Sequence, residues 1–239
     1  MKEPTKFRYQ AVAVFVTTLM IISVVYAQPI QKTRNISFYT GTSIPVSGLN
    51  NWYNLTPVIG FQFTLRADEV TETIFEFHYQ KFNHGSIENR KFNWVVDYND
   101  YLSKDANAYM IWNDFILKTR KNLPDRSFDL SGKKIIPSFS YGIGFYNYTQ
   151  RVEGLIYPGQ YSQPLDENKI MDPIIDRRVA WGGNFGLGGY TSINESINFH
   201  FALNYHMAIG YLRSFEDWGL FEVVPLQFLT FQLGIAYNY

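Results

Sequence analysis

Residues 197–212 read INFHFALNYHMAIGYL, and sorting them by parity decides the fold. The odd positions are Ile197, Phe199, Phe201, Leu203, Tyr205, Met207, Ile209 and Tyr211, all large and apolar. Between them fall Asn198, His200, Ala202, Asn204, His206, Ala208 and Gly210, small or polar until Leu212. A period of two is the signature of a strand whose faces meet different surroundings. The same sorting recurs at Val179–Ser192, where Val179, Trp181, Phe185 and Leu187 oppose Ala180, Gly182, Asn184, Gly186 and Gly188. It returns at Ile135–Tyr148, with Phe139, Tyr141, Ile143 and Phe145 against Ser138, Ser140, Gly142 and Gly144. In a water-soluble sandwich or barrel the second face would be charged. Here it is Gly, Ala, Ser, Asn, Gln and His, the pattern of strands that turn bulky groups to lipid and small polar ones to a narrow lumen.

Eight such segments are countable, at roughly 35–45, 58–66, 71–82, 107–119, 133–149, 177–193, 197–212 and 223–239. Their connections alternate between short (67–70, 120–132, 194–196) and long (46–57, 83–106, 150–176, 213–222), with 120–132 of middling length. The expected fold is therefore all-β, an eight-stranded antiparallel up-and-down transmembrane β-barrel with short periplasmic turns, long outer loops and both termini periplasmic. Lys91–Tyr98 also alternates, through Phe92, Trp94, Val96 and Tyr98. It reads as part of an outer hairpin, and ten strands is the alternative. The weakest segment is the fourth, where Asn113 and Asp114 cannot both face inward.

Composition agrees. The 239 residues hold 20 Phe, 18 Tyr and 5 Trp at a mean hydropathy of -0.18, too polar for a bundle of membrane helices. Lys+Arg and Asp+Glu are 21 each, so there is no basic excess for a nucleic-acid partner. Cysteine is absent, which removes disulfides, thiolate metal sites and thiol nucleophiles. At the N-terminus Lys2, Lys6 and Arg8 precede the apolar run Ala11–Val25, and Val25-Tyr26-Ala27 offers a cleavage site before Gln28. That run is shorter than the ~20 residues a spanning helix needs. Residues 1–27 are thus expected to be a signal peptide and 28–239 the barrel domain.

Turn lengths set two registers. The short joint after the second segment places Arg66 opposite Glu72 and Gln62 opposite Glu76 on the inner face, where charges require partners. The lumen charge set expected from sequence is therefore Arg66, Glu72 and Glu76. The turn Asn194-Glu195-Ser196 pairs Ile193 with Ile197.

The closing octet QLGIAYNY sets Gln232, Gly234, Tyr237 and Tyr239 in the order polar, x, Gly, x, x, aromatic, x, aromatic. It is similar to the terminal signal that the barrel-assembly machinery recognises, with Tyr where Phe is commoner. The chain as a whole resembles the small eight-stranded outer-membrane barrels of the OmpA/OmpX and PorT-like kind. The resemblance implies a Gram-negative outer membrane and contacts with outer-membrane lipid, lipopolysaccharide and the assembly machinery. A peptidoglycan-binding domain following the barrel is not expected.

Size then limits function. Eight strands enclose a lumen that side chains fill, and Tyr39, Tyr146, Tyr148, Tyr190 and Phe228 fall on the inner faces. The expectation is a non-enzymatic structural or binding component without cofactor or metal. It would act through outer loops on an extracellular or outer-membrane protein partner, alone or as a subunit of a complex. Trp52, Tyr53, Tyr157, Pro158, Tyr161 and Pro164 supply aromatic or rigid loop contacts, either to a partner or glycan or among the loops themselves. The alternatives are a lipid-modifying hydrolase and a narrow channel for small or apolar solutes. His84-Gly85-Ser86 resembles the His-x-Ser spacing of outer-membrane lipid hydrolases, without a third member. His200 and His206 stand six residues apart, about 20 Å along a strand, too far to share a metal or a bond. His78 is the remaining histidine. The glycines at 182, 183, 186, 188 and 189 lack a dinucleotide spacing and read as lumen-facing. The acidic stretch around Asp97, Asn99, Asp100 and Asp105 lacks calcium-loop order.

Overall fold

The computed structural model describes residues 34–83 and 86–239. Eight long strands form the body: β1 Arg34–Val46, β2 Thr56–Arg66, β3 Thr71–Phe82, β4 Asn107–Asn122, β5 Lys133–Glu153, β6 Ile174–Ser192, β7 Ile197–Ile209 and β8 Leu226–Asn238. Each pairs antiparallel with its sequence neighbour, and β1 pairs with β8, so the sheet closes without an edge.

The register fixes the barrel's shape. Stepping from Asn35 through Thr64, Ile74, Lys118, Gly142, Asn184, His206 and Phe228 returns to β1 at Pro45, ten residues on. A displacement of ten residues over eight strand spacings gives a tilt of about 40° and a backbone diameter of roughly 16 Å. That width leaves room for side chains and little else.

Parity sorts the two faces as the sequence implies. Phe38, Ile59, Phe185, Leu187, Leu203, Ile209, Phe231, Leu233 and Ile235 are exposed on the outside. The ten steps from Phe199 to Ile209 rise about 25 Å along the axis at this tilt, the height of an outer-membrane apolar band. Asn113 and Asn147 pair on the outer face beside Tyr79 and mark where that band turns polar. Asp114 is the inward member of the Asn113–Asp114 pair and is fully buried.

Several boundaries differ from the sequence reading. β4 runs on to Asn122, paired with Ser138, and β5 to Glu153, paired with Asn107, because their ladder extends at both ends. β6 begins at Ile174, paired with Val152. β7 stops at Ile209 and β8 starts at Leu226, with a lone bridge Leu212↔Val223 beyond them. The 91–98 segment joins the outer hairpin and not the barrel wall: Lys91–Asn93 pairs with Asp100–Leu102, and alternation ends in a turn where Tyr98 takes φ 58°. Of the β6 glycines, Gly182, Gly186 and Gly188 face the lumen, but Gly183 and Gly189 have outward parity. A methyl at Gly186 would strike Asn204 Oδ1, whereas one at Gly183 would meet nothing. The short turns are held locally. Asp68 accepts from the amides of Val70 and Thr71 at 2.9 and 2.7 Å, which holds its carboxyl below the usual carboxylate range. Asn194 accepts likewise from Ser196 and Ile197, and the Ile193 amide bonds the Ile197 carbonyl. The expected leader, 1–27, lies outside the described residues.

Candidate functional site

The lumen holds two kinds of filling, stacked end to end. At the mouth near the termini, Glu72 on β3 accepts from Arg120 Nε on β4 at 2.7 Å, while Arg66 on β2 stands 3.7 Å from its other oxygen. Arg66 and Glu72 are cross-strand neighbours, but Arg120 makes the closer contact. Asn35, Ser37, Tyr190, Asn198 and His200 complete the rim of a cavity of about 20 Å³, room for little more than a water molecule.

Deeper in, Glu76 is the hub. Its carboxylate accepts from Tyr39 Oη at 2.9 Å, Gln62 Nε2 at 2.7 Å and Gln232 Nε2 at 3.1 Å, and it contacts Lys118 Nζ directly. His78 adds its Nδ1 at 3.6 Å, and its Nε2 lies 2.6 Å from Asp114 on β4. Tyr39 reaches Glu76 because Gly60 leaves its ring a floor: a Cβ there would sit 2.4 Å from the ring. Glu76 therefore pairs with Lys118, not with Arg66. The lumen acids Glu72, Glu76 and Asp114 face the cations Arg66, Arg120 and Lys118, with His78 set between the carboxylates of Glu76 and Asp114. All of Glu76, His78, Asp114 and Lys118 are within 3% of complete burial, which such charges tolerate only when paired.

Above this layer the lumen turns apolar. His206 stacks on Phe228 at 4.5 Å, and His78 meets His206 edge-on at 5.3 Å. Phe228 lies against Trp112, which stacks on Tyr148 at 4.9 Å, and Phe82 closes the layer. The plug continues into the loops. Trp52 packs edge-on against Phe215 and donates to the Phe221 carbonyl at 3.2 Å. Trp94 donates to the Gln160 carbonyl at 2.9 Å, and Phe92 packs on Trp218.

This packing divides the loop residues expected to meet a partner. Trp52 and Tyr53 are 1% exposed, so they belong to the cap and present nothing outward. Tyr157 and Tyr161, at 41% and 82%, remain available. The acidic loop is organised by itself: Asp97 accepts from Tyr101 Oη at 2.7 Å and from the Asn99 amide at 2.9 Å, and these bonds lower its pKa. Among the described residues no group of three His, Asp or Glu side chains is arranged to hold a metal.

His200 sits in the lower layer and His206 in the middle one, apart as their spacing demands. The grouping that sequence reasoning missed is Glu76, His78, Asp114 and Lys118. Half of it was visible, since Glu76 and His78 share parity and Asp114 and Lys118 share it on β4. Joining them needed the β3–β4 register, which the 24-residue connection hides. In this acid–histidine–acid arrangement the His78 Nε2 faces Asp114, and all three side chains are fully buried. His84 and the side chain of Ser86 lie outside the described residues. Along β8, Gln232 and Gly234 face inward, Gly234 lying beneath His200, while Tyr237 and Tyr239 are exposed on the outside.

A closed eight-strand wall, an apolar outer belt and a lumen filled by ion pairs below and aromatics above define the class: the small outer-membrane type of β-barrel. Solved structures of similar outline include the N-terminal β-barrel domain of Pseudomonas aeruginosa OprF, at 12% identity and TM-score 0.44, covering 87% of this chain and 97% of that one. Others are Ail, the attachment invasion locus protein of Yersinia pestis (11%, 0.43, 88% and 100%), and the outer membrane protein OprG from Pseudomonas aeruginosa (11%, 0.44, 90% and 98%). No protein-family model and no curated protein matches the chain.

Proposed function

We propose that the protein is a bacterial outer-membrane barrel that performs no catalysis or general transport, and serves as a structural or binding component through its outer loops. The observation that carries this reading is the filled lumen: charges saturate its lower half and the Trp112–Phe228–Tyr148 layer blocks the upper half. What a partner can touch is the outer rim, where Tyr98, Tyr161 and Phe221 are each at least 70% exposed. Aromatic side chains on loops carried by a rigid wall suit binding to a protein surface.

The proposal includes export with cleavage after Ala27, periplasmic termini, and recognition of Gln232, Gly234, Tyr237 and Tyr239 by the barrel-assembly machinery. It also includes contact with outer-membrane lipid and lipopolysaccharide, and an outer-membrane or extracellular protein as partner. Purified barrel reconstituted with lipopolysaccharide and phospholipid tests it. Lipid composition should stay constant over hours and planar bilayers should show no steady conductance. Lipid hydrolysis would favour the hydrolase reading, and regular current steps the channel reading. Mild detergent extraction should bring down a defined protein partner, which is lost when the 150–176 loop is shortened.

A further inference from the structure

The connection between β4 and β5 differs from the other two turns at the same end. Residues 67–70 and 194–196 are tight turns without a large apolar or aromatic side chain beyond Val70. Here Pro124–Arg126 makes a single 3-10 turn, after which Phe128–Leu130 pairs with Lys133–Ile135 around Ser131-Gly132, both at positive φ. The result is a small hairpin projecting beyond the barrel wall.

Its apolar face has a defined direction. Ile135, itself buried, has the outward parity of Phe139 and Tyr141, and β5 runs unbroken from Lys133. A Cβ at the outward-facing Gly189 would meet both Phe201 Cζ and Ile135 Cγ2, so Ile135 lies on the same outer surface as Phe201. Phe128 is the direct cross-strand neighbour of Ile135, and Leu130 follows two residues on. Phe128 and Leu130 are therefore a downward continuation of the lipid belt, 50% and 58% exposed. Around them stand exposed Arg126, Lys133 and Lys134 against Asp125 and Asp129, three cations to two anions.

We infer that this hairpin is an interfacial anchor, with Phe128 and Leu130 seated in the headgroup region of the periplasmic leaflet and the lysines on the phosphates of anionic phospholipid. Outward apolar side chains just past the hydrocarbon edge, flanked by flexible cations, match the chemistry of that interface. The inference rests on the membrane-spanning reading above.

The absence of cysteine makes the test clean. Single substitutions Leu130→Cys, Asn194→Cys and Ile235→Cys each take a nitroxide label, and the folded barrel is placed in vesicles of phosphatidylcholine with or without phosphatidylglycerol. Accessibility to oxygen is compared with accessibility to a water-soluble nickel chelate. At position 130 the oxygen-to-nickel ratio should exceed that at 194 several-fold, approaching that at 235, and should fall when phosphatidylglycerol is omitted or Lys133 and Lys134 are changed to Gln. A label at 130 as wet as that at 194, with 235 in lipid, overturns the anchor alone. Equal protection in both vesicle types overturns the anionic-headgroup assignment. A wet label at 235 removes the membrane reading and the anchor with it.

Discussion

Changing Glu76 to Gln separates a sealed lumen from a wet one. The substitution keeps shape and hydrogen-bonding capacity but leaves Lys118, 3% exposed, as a buried ammonium without its carboxylate. Removing one partner of a buried pair costs about 3–5 kcal/mol, a large fraction of the roughly 5–15 kcal/mol that holds a typical domain together. Lys118→Met should cost less, about 1–3 kcal/mol, because Tyr39, Gln62 and Gln232 still donate to the carboxylate. The double variant Glu76→Gln with Lys118→Met removes both charges, so the cycle should show a coupling of about 2–3 kcal/mol. Urea unfolding of the barrel in micelles, followed by the mobility difference between boiled and unboiled samples and by tryptophan emission, measures all four species. A loss under about 1 kcal/mol for Glu76→Gln, or additive singles, would mean that water already reaches Lys118 and that the lumen is not dry.

Three further outcomes follow from the same geometry. Trp112→Ala with Phe228→Ala removes the middle of the aromatic plug; each truncation should cost about 3–5 kcal/mol, read as a lower urea midpoint, while planar bilayers should stay silent because the charged layer beneath remains filled, and regular current steps would refute that second seal. Leu233→Arg puts a guanidinium in the lipid belt and should cost about 2–4 kcal/mol, whereas a wild-type unfolding midpoint would contradict the outward assignment of β8. Asp97 has its pKa lowered, chiefly by the Tyr101 hydroxyl, so its ionised form belongs to the ordered loop. The order it confers should be complete above the ordinary carboxylate range near ~4 and decay as pH falls through the lower, folded-state value. Hydrogen exchange at the Asn99 amide reads this, and protection unchanged down to strongly acid pH would refute it.

Much of the wall was legible because each strand carries its own evidence. The alternation from Ile197 to Ile209 needs no tertiary information, since lipid and lumen impose opposite demands on successive side chains. Local register was legible wherever a turn was short, which is why Arg66 opposite Glu72 and Ile193 beside Ile197 could be written down from spacing. What stayed hidden lay across long connections. Lys118 looks like an ordinary cation near a strand end until β4 is set beside β3. Trp52 and Tyr161 look alike as loop aromatics, yet one is clamped by Phe215 and Phe221 from the far end of the chain and the other is bare. Composition reports that a loop is aromatic; only the fold reports which aromatics are spent on closing the barrel.

The partners of Glu76 come from β1, β2, β3, β4 and β8, and so lie on both sides of the junction where the first and last strands meet. An unclosed sheet would hold that carboxylate and Lys118 in a nonpolar setting with part of their shell missing. Half-zipped forms are thereby penalised at their centre as well as at their free edges. The final seam should consequently snap shut in one step, after which it resists reopening.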